Sequence, residues 1–131
     1  MRRLTALSIS LAILLLIPCA GCGSSAGAAA PLHPVKGKVT YKGKALISGT
    51  VTFEPDAGRE AHGDIKPDGT FELTTFKPGD GAVAGSHRVA VTGAIGKGRS
   101  NAVPVKYQNV SSSKQEVEVS ADKTEYNIDL K

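Results

Sequence analysis

The chain has no tryptophan, one methionine, two cysteines and six Phe or Tyr residues among 131. So few cysteines exclude a disulfide-built scaffold and a cysteine-rich metal cage. So few aromatic rings leave little material for stacking on sugars or bases. Three histidines and a length suited to one small domain argue against a multidomain enzyme. Long apolar runs are also lacking, with one exception, Leu11–Ile17. No second such run follows it.

That exception sits in a recognisable context. Met1-Arg2-Arg3 is a positive start, Leu4–Ile17 an apolar stretch and Pro18-Cys19-Ala20-Gly21-Cys22 a small-residue processing site, the composition of an export signal. The stretch is shorter than the roughly 20 residues needed to span a bilayer. Ala20 and Gly21 directly before a cysteine resemble the lipobox of bacterial lipoproteins, although Cys19 stands where the lipobox usually has leucine. The resemblance implies that Cys22 accepts a diacylglyceryl group and becomes the first residue after cleavage. Pro18 beside Cys19 makes that earlier cysteine the poorer site. The alternatives are plain secretion after Ala28-Ala29-Ala30 or an uncleaved membrane anchor.

Loss of residues 1–21 removes Arg2 and Arg3 and leaves 14 basic against 12 acidic groups. A net +2 so evenly spread does not fit nucleic-acid binding by phosphate neutralisation. With Cys19 gone and Cys22 lipidated, no thiol is left for a disulfide or metal. Two or three acyl chains anchor a protein durably, so the expected location is the cell membrane or outer membrane, facing periplasm or exterior. Gly23 is not the aspartate of the best-known inner-membrane retention rule, which favours the outer membrane.

Residues 22–34 read as a lipid-anchored flexible tether, small residues ending in two prolines, and 35–131 as the folded domain. From Val35 onward the apolar period is two, the mark of strands. Val35, Gly37, Val39 and Tyr41 share one face of a first strand, and Lys36, Lys38, Thr40 and Lys42 the other. Val51 and Phe53, Phe71 and Leu73, Val89 and Val91, Val117 and Val119, then Tyr126, Ile128 and Leu130 repeat the pattern. Turns are expected at Lys42-Gly43-Lys44 and Lys66-Pro67-Asp68-Gly69, with Gly63–Ile65 a short partner strand before the second. The last two strands, joined across Ser120–Lys123, look like a terminal hairpin. The expected fold is all-β, an antiparallel sandwich of about seven strands, with a closed barrel as the alternative.

Gly37-Lys38-Val39-Thr40-Tyr41-Lys42-Gly43-Lys44, Gly49-Thr50-Val51-Thr52-Phe53, Asp68-Gly69-Thr70-Phe71 and Gly85-Ser86-His87-Arg88-Val89-Ala90-Val91 follow in the order seen in carboxypeptidase-regulatory-like, transthyretin-like β-sandwich modules, which this chain resembles from Val35 to about Val91. With the lipobox, it is similar to small exported bacterial lipoproteins. The resemblance implies an immunoglobulin-like or transthyretin-like sandwich and a module that is mostly non-catalytic; residues 93–106 lie outside it.

Candidates for chemistry are few. Asp56, Glu60, His62 and Asp64 have metal-like composition but match neither a calcium loop nor a zinc spacing, and a solvated loop is the simpler reading. His87 has core parity and is expected to pack with one nitrogen satisfied. A triad with Ser86 is opposed by their opposite faces on one strand. Gly93–Ser100 carries Lys97 and Arg99 among glycines without the order of a phosphate loop. It reads as a mobile surface loop or as a contact for an anionic partner through those two residues. The lysines of the first strand read as guards of a sheet edge or as attraction to anionic polymers. Tyr107 reads as a core plug.

These observations predict no catalytic residue, cofactor or metal. The expected function is a non-enzymatic, membrane-tethered domain with a binding or structural role toward an unknown envelope protein. A carbohydrate-binding module for envelope or extracellular glycan is the second reading, and an enzyme the distant third.

Overall fold

The computed structural model describes residues 30–98 and 102–131. Apart from a one-turn helix at Val110–Ser113 and a 3-10 turn at Val105–Tyr107, these residues fold as an all-β unit of ten strands. In order they are β1 (Leu32–His33), β2 (Lys36–Tyr41), β3 (Lys44–Ala45), β4 (Ser48–Pro55), β5 (Ala61–Asp64), β6 (Thr70–Glu72), β7 (Ala82–Val83), β8 (Gly85–Ala94), β9 (Gln115–Val119) and β10 (Glu125–Leu130). One sheet has the order β5-β4-β8-β9; in the other, β2 is flanked by β10 on one side and by β3 and β6 on the other.

The period-two pattern decides which faces meet. Val51, Phe53, Val89, Val91 and Val119 of the first sheet and Val39, Phe71, Tyr126, Ile128 and Leu130 of the second form one buried core. Phe53 and Phe71 link the sheets with ring centroids 6.2 Å apart. The arrangement is sandwich-like, each sheet burying one face and wetting the other.

Both expected turns form. Lys42 and Gly43 take consecutive left-handed conformations, φ 50° and 79°, the pairing that suits a two-residue hairpin between β2 and β3. Gly69 donates its N–H to the Lys66 carbonyl at 2.8 Å. This second turn joins strands of different sheets, however, because β5 pairs with β4 and β6 with β2. An isolated bridge between His62 and Thr74 links the two segments.

Two expectations are corrected by the topology. β9 and β10 are not a hairpin: β9 pairs with β8, while β10 crosses to the other sheet and runs parallel to β2 over Glu125–Leu130. The fold is therefore not purely antiparallel. Ser120–Thr124 carries the chain between layers, which a tight turn within one sheet cannot do. Secondly, β2 is central rather than an edge, with neighbours on both sides, so its lysines guard no edge. They line the solvent face of a fully paired strand.

The last residues of the expected tether belong to the folded unit, since Leu32 and His33 pair with Val83 and Ala82. At the other end of β4, Gly49 and Gly93 face each other at positive φ. A Cβ on Gly49 would lie 1.9 Å from the Thr92 carbonyl oxygen, so only glycine permits this approach of the two backbones.

Candidate binding surface

β4 and β8 give the domain two ends. Their register runs from Ser48 opposite Ala94 to Pro55 opposite His87, a span of about 25 Å for eight residues.

The end near His87 holds Ala30, the first of the described residues. Ala30 lines a shallow hollow of about 130 Å³ with Gly58, Arg59, Thr75, Phe76 and Val83. Phe76 is 59% exposed, and the Arg59 guanidinium lies 5.3 Å from its ring centroid. The turn that carries Phe76 is gripped from within by Asp80. Its Oδ1 accepts the Thr75 N–H at 2.7 Å, and its Oδ2 accepts those of Phe76 and Lys77 at 2.9 and 2.8 Å. Partial burial pushes the Asp80 carboxyl up, but the three N–H donors outweigh it and hold the group below the usual carboxylate range. Sequence reading missed this device. Its only visible trace is Pro78-Gly79-Asp80-Gly81, a turn composition that does not reveal three donors on one carboxylate.

The opposite end carries Lys97, exposed on the loop after β8; Arg99 lies outside the described residues. The loop closes where Ala94 bridges Ala102 and the Val103 N–H donates to the Gly93 carbonyl. Close by, Lys42 lies over Tyr41 and Lys106 over Tyr107, at 5.4 and 4.6 Å, and the two tyrosine rings meet edge to face. Tyr107 is buried and its hydroxyl bonds the backbone carbonyl of Lys131, so it is a core plug as expected.

The wet face of β2 forms the floor of a groove of about 520 Å³ with Lys36, Lys38, Lys66, Thr70, Glu72 and Asn127 among its walls. Lys36 pairs with Glu72 at 3.5 Å. Charges of both signs interleave here, which weakens attraction to a polyanion. The Phe71 ring points into the core, 2% exposed, and offers no stacking surface.

Asp56, Glu60, His62 and Asp64 do not converge. His62 is held by Glu60 at 3.3 Å and by Thr52 Oγ1 at 3.3 Å, and no group of three metal-type ligands assembles among the described residues. His87 is 1% exposed; its Nε2 donates to the Val83 carbonyl at 2.8 Å and its ring packs on Phe53. One nitrogen is satisfied, as expected, while Nδ1 has no partner. Ser86 faces solvent on the other side of the strand, so these two side chains cannot act together. Among the described residues no helix is long and apolar enough to cross a membrane; Cys22 and the export signal lie outside those residues. Compared with known protein families, curated proteins and solved structures, the chain matches none.

Proposed function

We propose that this is a lipid-anchored protein of the bacterial cell envelope, non-enzymatic, with a binding or structural role. A sandwich of the immunoglobulin-like, transthyretin-like type is held at the membrane by diacylglycerol on Cys22. One observation carries the reading: Ala30, eight positions after Cys22 in sequence, lies beside the 57–59 loop, whereas the Lys97 loop sits at the far end of β4 and β8. Tethering at one end turns the other away from the bilayer, toward an envelope partner. The position of His87, buried and committed to Val83, supports a structural rather than catalytic use of that ring.

Intact mass of the protein extracted from membranes tests the anchor. Residues 22–131 plus a diacylglyceryl group, with or without an N-acyl chain, is the expected result; a bare chain starting near residues 28–31 would overturn it. The glycan reading has the β2 groove in its favour, whose lysines, threonine, asparagine and carboxylate could bond sugar hydroxyls. Reproducible binding on a glycan array would promote it.

A further inference from the structure

The end that holds Ala30 pairs an exposed aromatic ring with cations on a turn that does not yield. Asp80 fixes the backbone of Thr75, Phe76 and Lys77, and the Gly79 N–H donates to Thr74 Oγ1 at 3.1 Å. A turn braced at four N–H groups cannot easily fold its ring inward, yet Phe76 remains 59% exposed. Arg59 lies over the ring and Lys77 follows it in the chain. Asp56 and Glu60 flank Arg59 in sequence, and Glu60 is turned to His62. A ring of this kind, flanked by cations, suits the headgroup boundary of a bilayer, where apolar bodies sink and charged tips reach phosphate.

Position supplies the occupant. Ala30 forms part of the same hollow and follows Cys22 by eight positions, which reach at most about 28 Å when fully extended. With acyl chains on Cys22, this end of the domain lies within that distance of the lipid surface. We infer that Phe76, with Arg59 and Lys77, docks the domain onto the bilayer beside its own anchor, ring in the acyl-headgroup boundary and cations on lipid phosphates. The inference rests on the lipid-anchor reading. Docking fixes which end faces outward and so presents the Lys97 end.

The lack of tryptophan allows a direct test with the full, cell-processed chain. Phe76→Trp places one fluorescent reporter at the site, and Val105→Trp places one at the opposite end, where Val105 is 71% exposed. Each variant is reconstituted into phosphatidylcholine–phosphatidylglycerol vesicles carrying brominated acyl chains, and its mass is taken from the same preparation. Docking predicts that emission from the Phe76→Trp variant shifts to the blue and is mostly lost to bromine, while the Val105→Trp variant keeps its emission. A lipidated Phe76→Trp chain quenched only by aqueous acrylamide overturns docking and leaves the anchor standing. Shielding of that indole from both quenchers overturns it also, and assigns the cover to the protein itself. If no lipid is found, bromine quenching of the Phe76→Trp variant sustains docking without the anchor, and its absence removes both. Should Phe76→Trp misfold, the unsubstituted chain supplies the answer: trypsin cleavage after Arg59 is expected to slow severalfold on vesicles relative to detergent, and equal rates overturn docking.

Discussion

Asp80 shows how one side chain can order a turn that has little core of its own. Three charge-assisted bonds to backbone N–H groups stand in for the pairing that a strand would provide. Asp80→Asn removes the charge and at least one acceptor geometry, and is expected to cost about 1–2 kcal/mol, read as a lower urea midpoint at unchanged slope. The sign of the pH effect follows from the direction of the shift. The folded-state carboxyl titrates below its unfolded counterpart, so its stabilisation is present above the ordinary aspartate range near 3.8 and is lost as pH falls through the depressed folded value. Asp68 acts in the same direction, held down by the Thr70 hydroxyl and N–H. Acid titration of stability should therefore be shallower in Asp80→Asn than in the parent; an identical slope below about pH 4 would sink this account. From sequence, Asp80 was one more polar residue in a Pro-Gly turn, because hydrogen bonds from neighbouring amides depend on φ and ψ that composition does not specify.

Among the elements, β10 carries the most consequence. Tyr126, Ile128 and Leu130 are all buried, and at about 2 kcal/mol each their loss is on the order of the whole stability of a small domain, about 5–15 kcal/mol. Removal also strips β2 of a full-length neighbour. A chain ending before Tyr126 is expected to show no cooperative melt; a transition near the parent temperature would refute it. The dry and wet faces of β10 were legible in its alternation, since a period of two needs no knowledge of the partner. Its partner was not. Adjacency to β9 suggested a hairpin, but a strand with one buried face can pair wherever the core offers a matching face, and the Ser120–Thr124 segment is long enough to change sheets. The same gap accounts for β2, whose lysine face was read correctly as wet and wrongly as an edge. At the β4–β8 ladder, Gly49→Ala should lower stability by more than about 3 kcal/mol, because a methyl group there meets backbone rather than a movable side chain. Gly43→Ala, with nothing within 4 Å, should lose roughly 1 kcal/mol from its positive φ alone. Equal losses at the two sites in thermal melts would show that backbone crowding at Gly49 is not decisive.

At the scale of the whole molecule, the proposed anchor and the folded domain should behave as separable parts. Cys22→Ser is expected to move the protein from the membrane pellet to the soluble fraction with the midpoint of unfolding unchanged, since Val35 to Leu130 build a core of their own among the described residues. A changed midpoint would mean that the N-terminal segment contributes to the fold. Lys97→Glu combined with Arg99→Glu should abolish cross-linking to an anionic envelope partner and leave membrane retention intact; unchanged cross-linking would remove the loop from consideration.

Local chemistry was sufficient for the sequence to determine the all-β character, the alternation that selects core residues such as Val39, Phe53 and Leu130, the turns at Lys42-Gly43 and Pro67-Gly69, and the fate of His87 and Tyr107. Each of these depends on near neighbours or on the parity of one strand. Tertiary structure alone decided which strands pair, that β10 lies parallel to β2, that β1 belongs to the domain, and that Ala30, Arg59 and Phe76 gather at one end with Lys97 at the other. Those facts depend on contacts between residues far apart in the chain, where alternation permits many pairings and the closing of one shared core between two sheets selects among them.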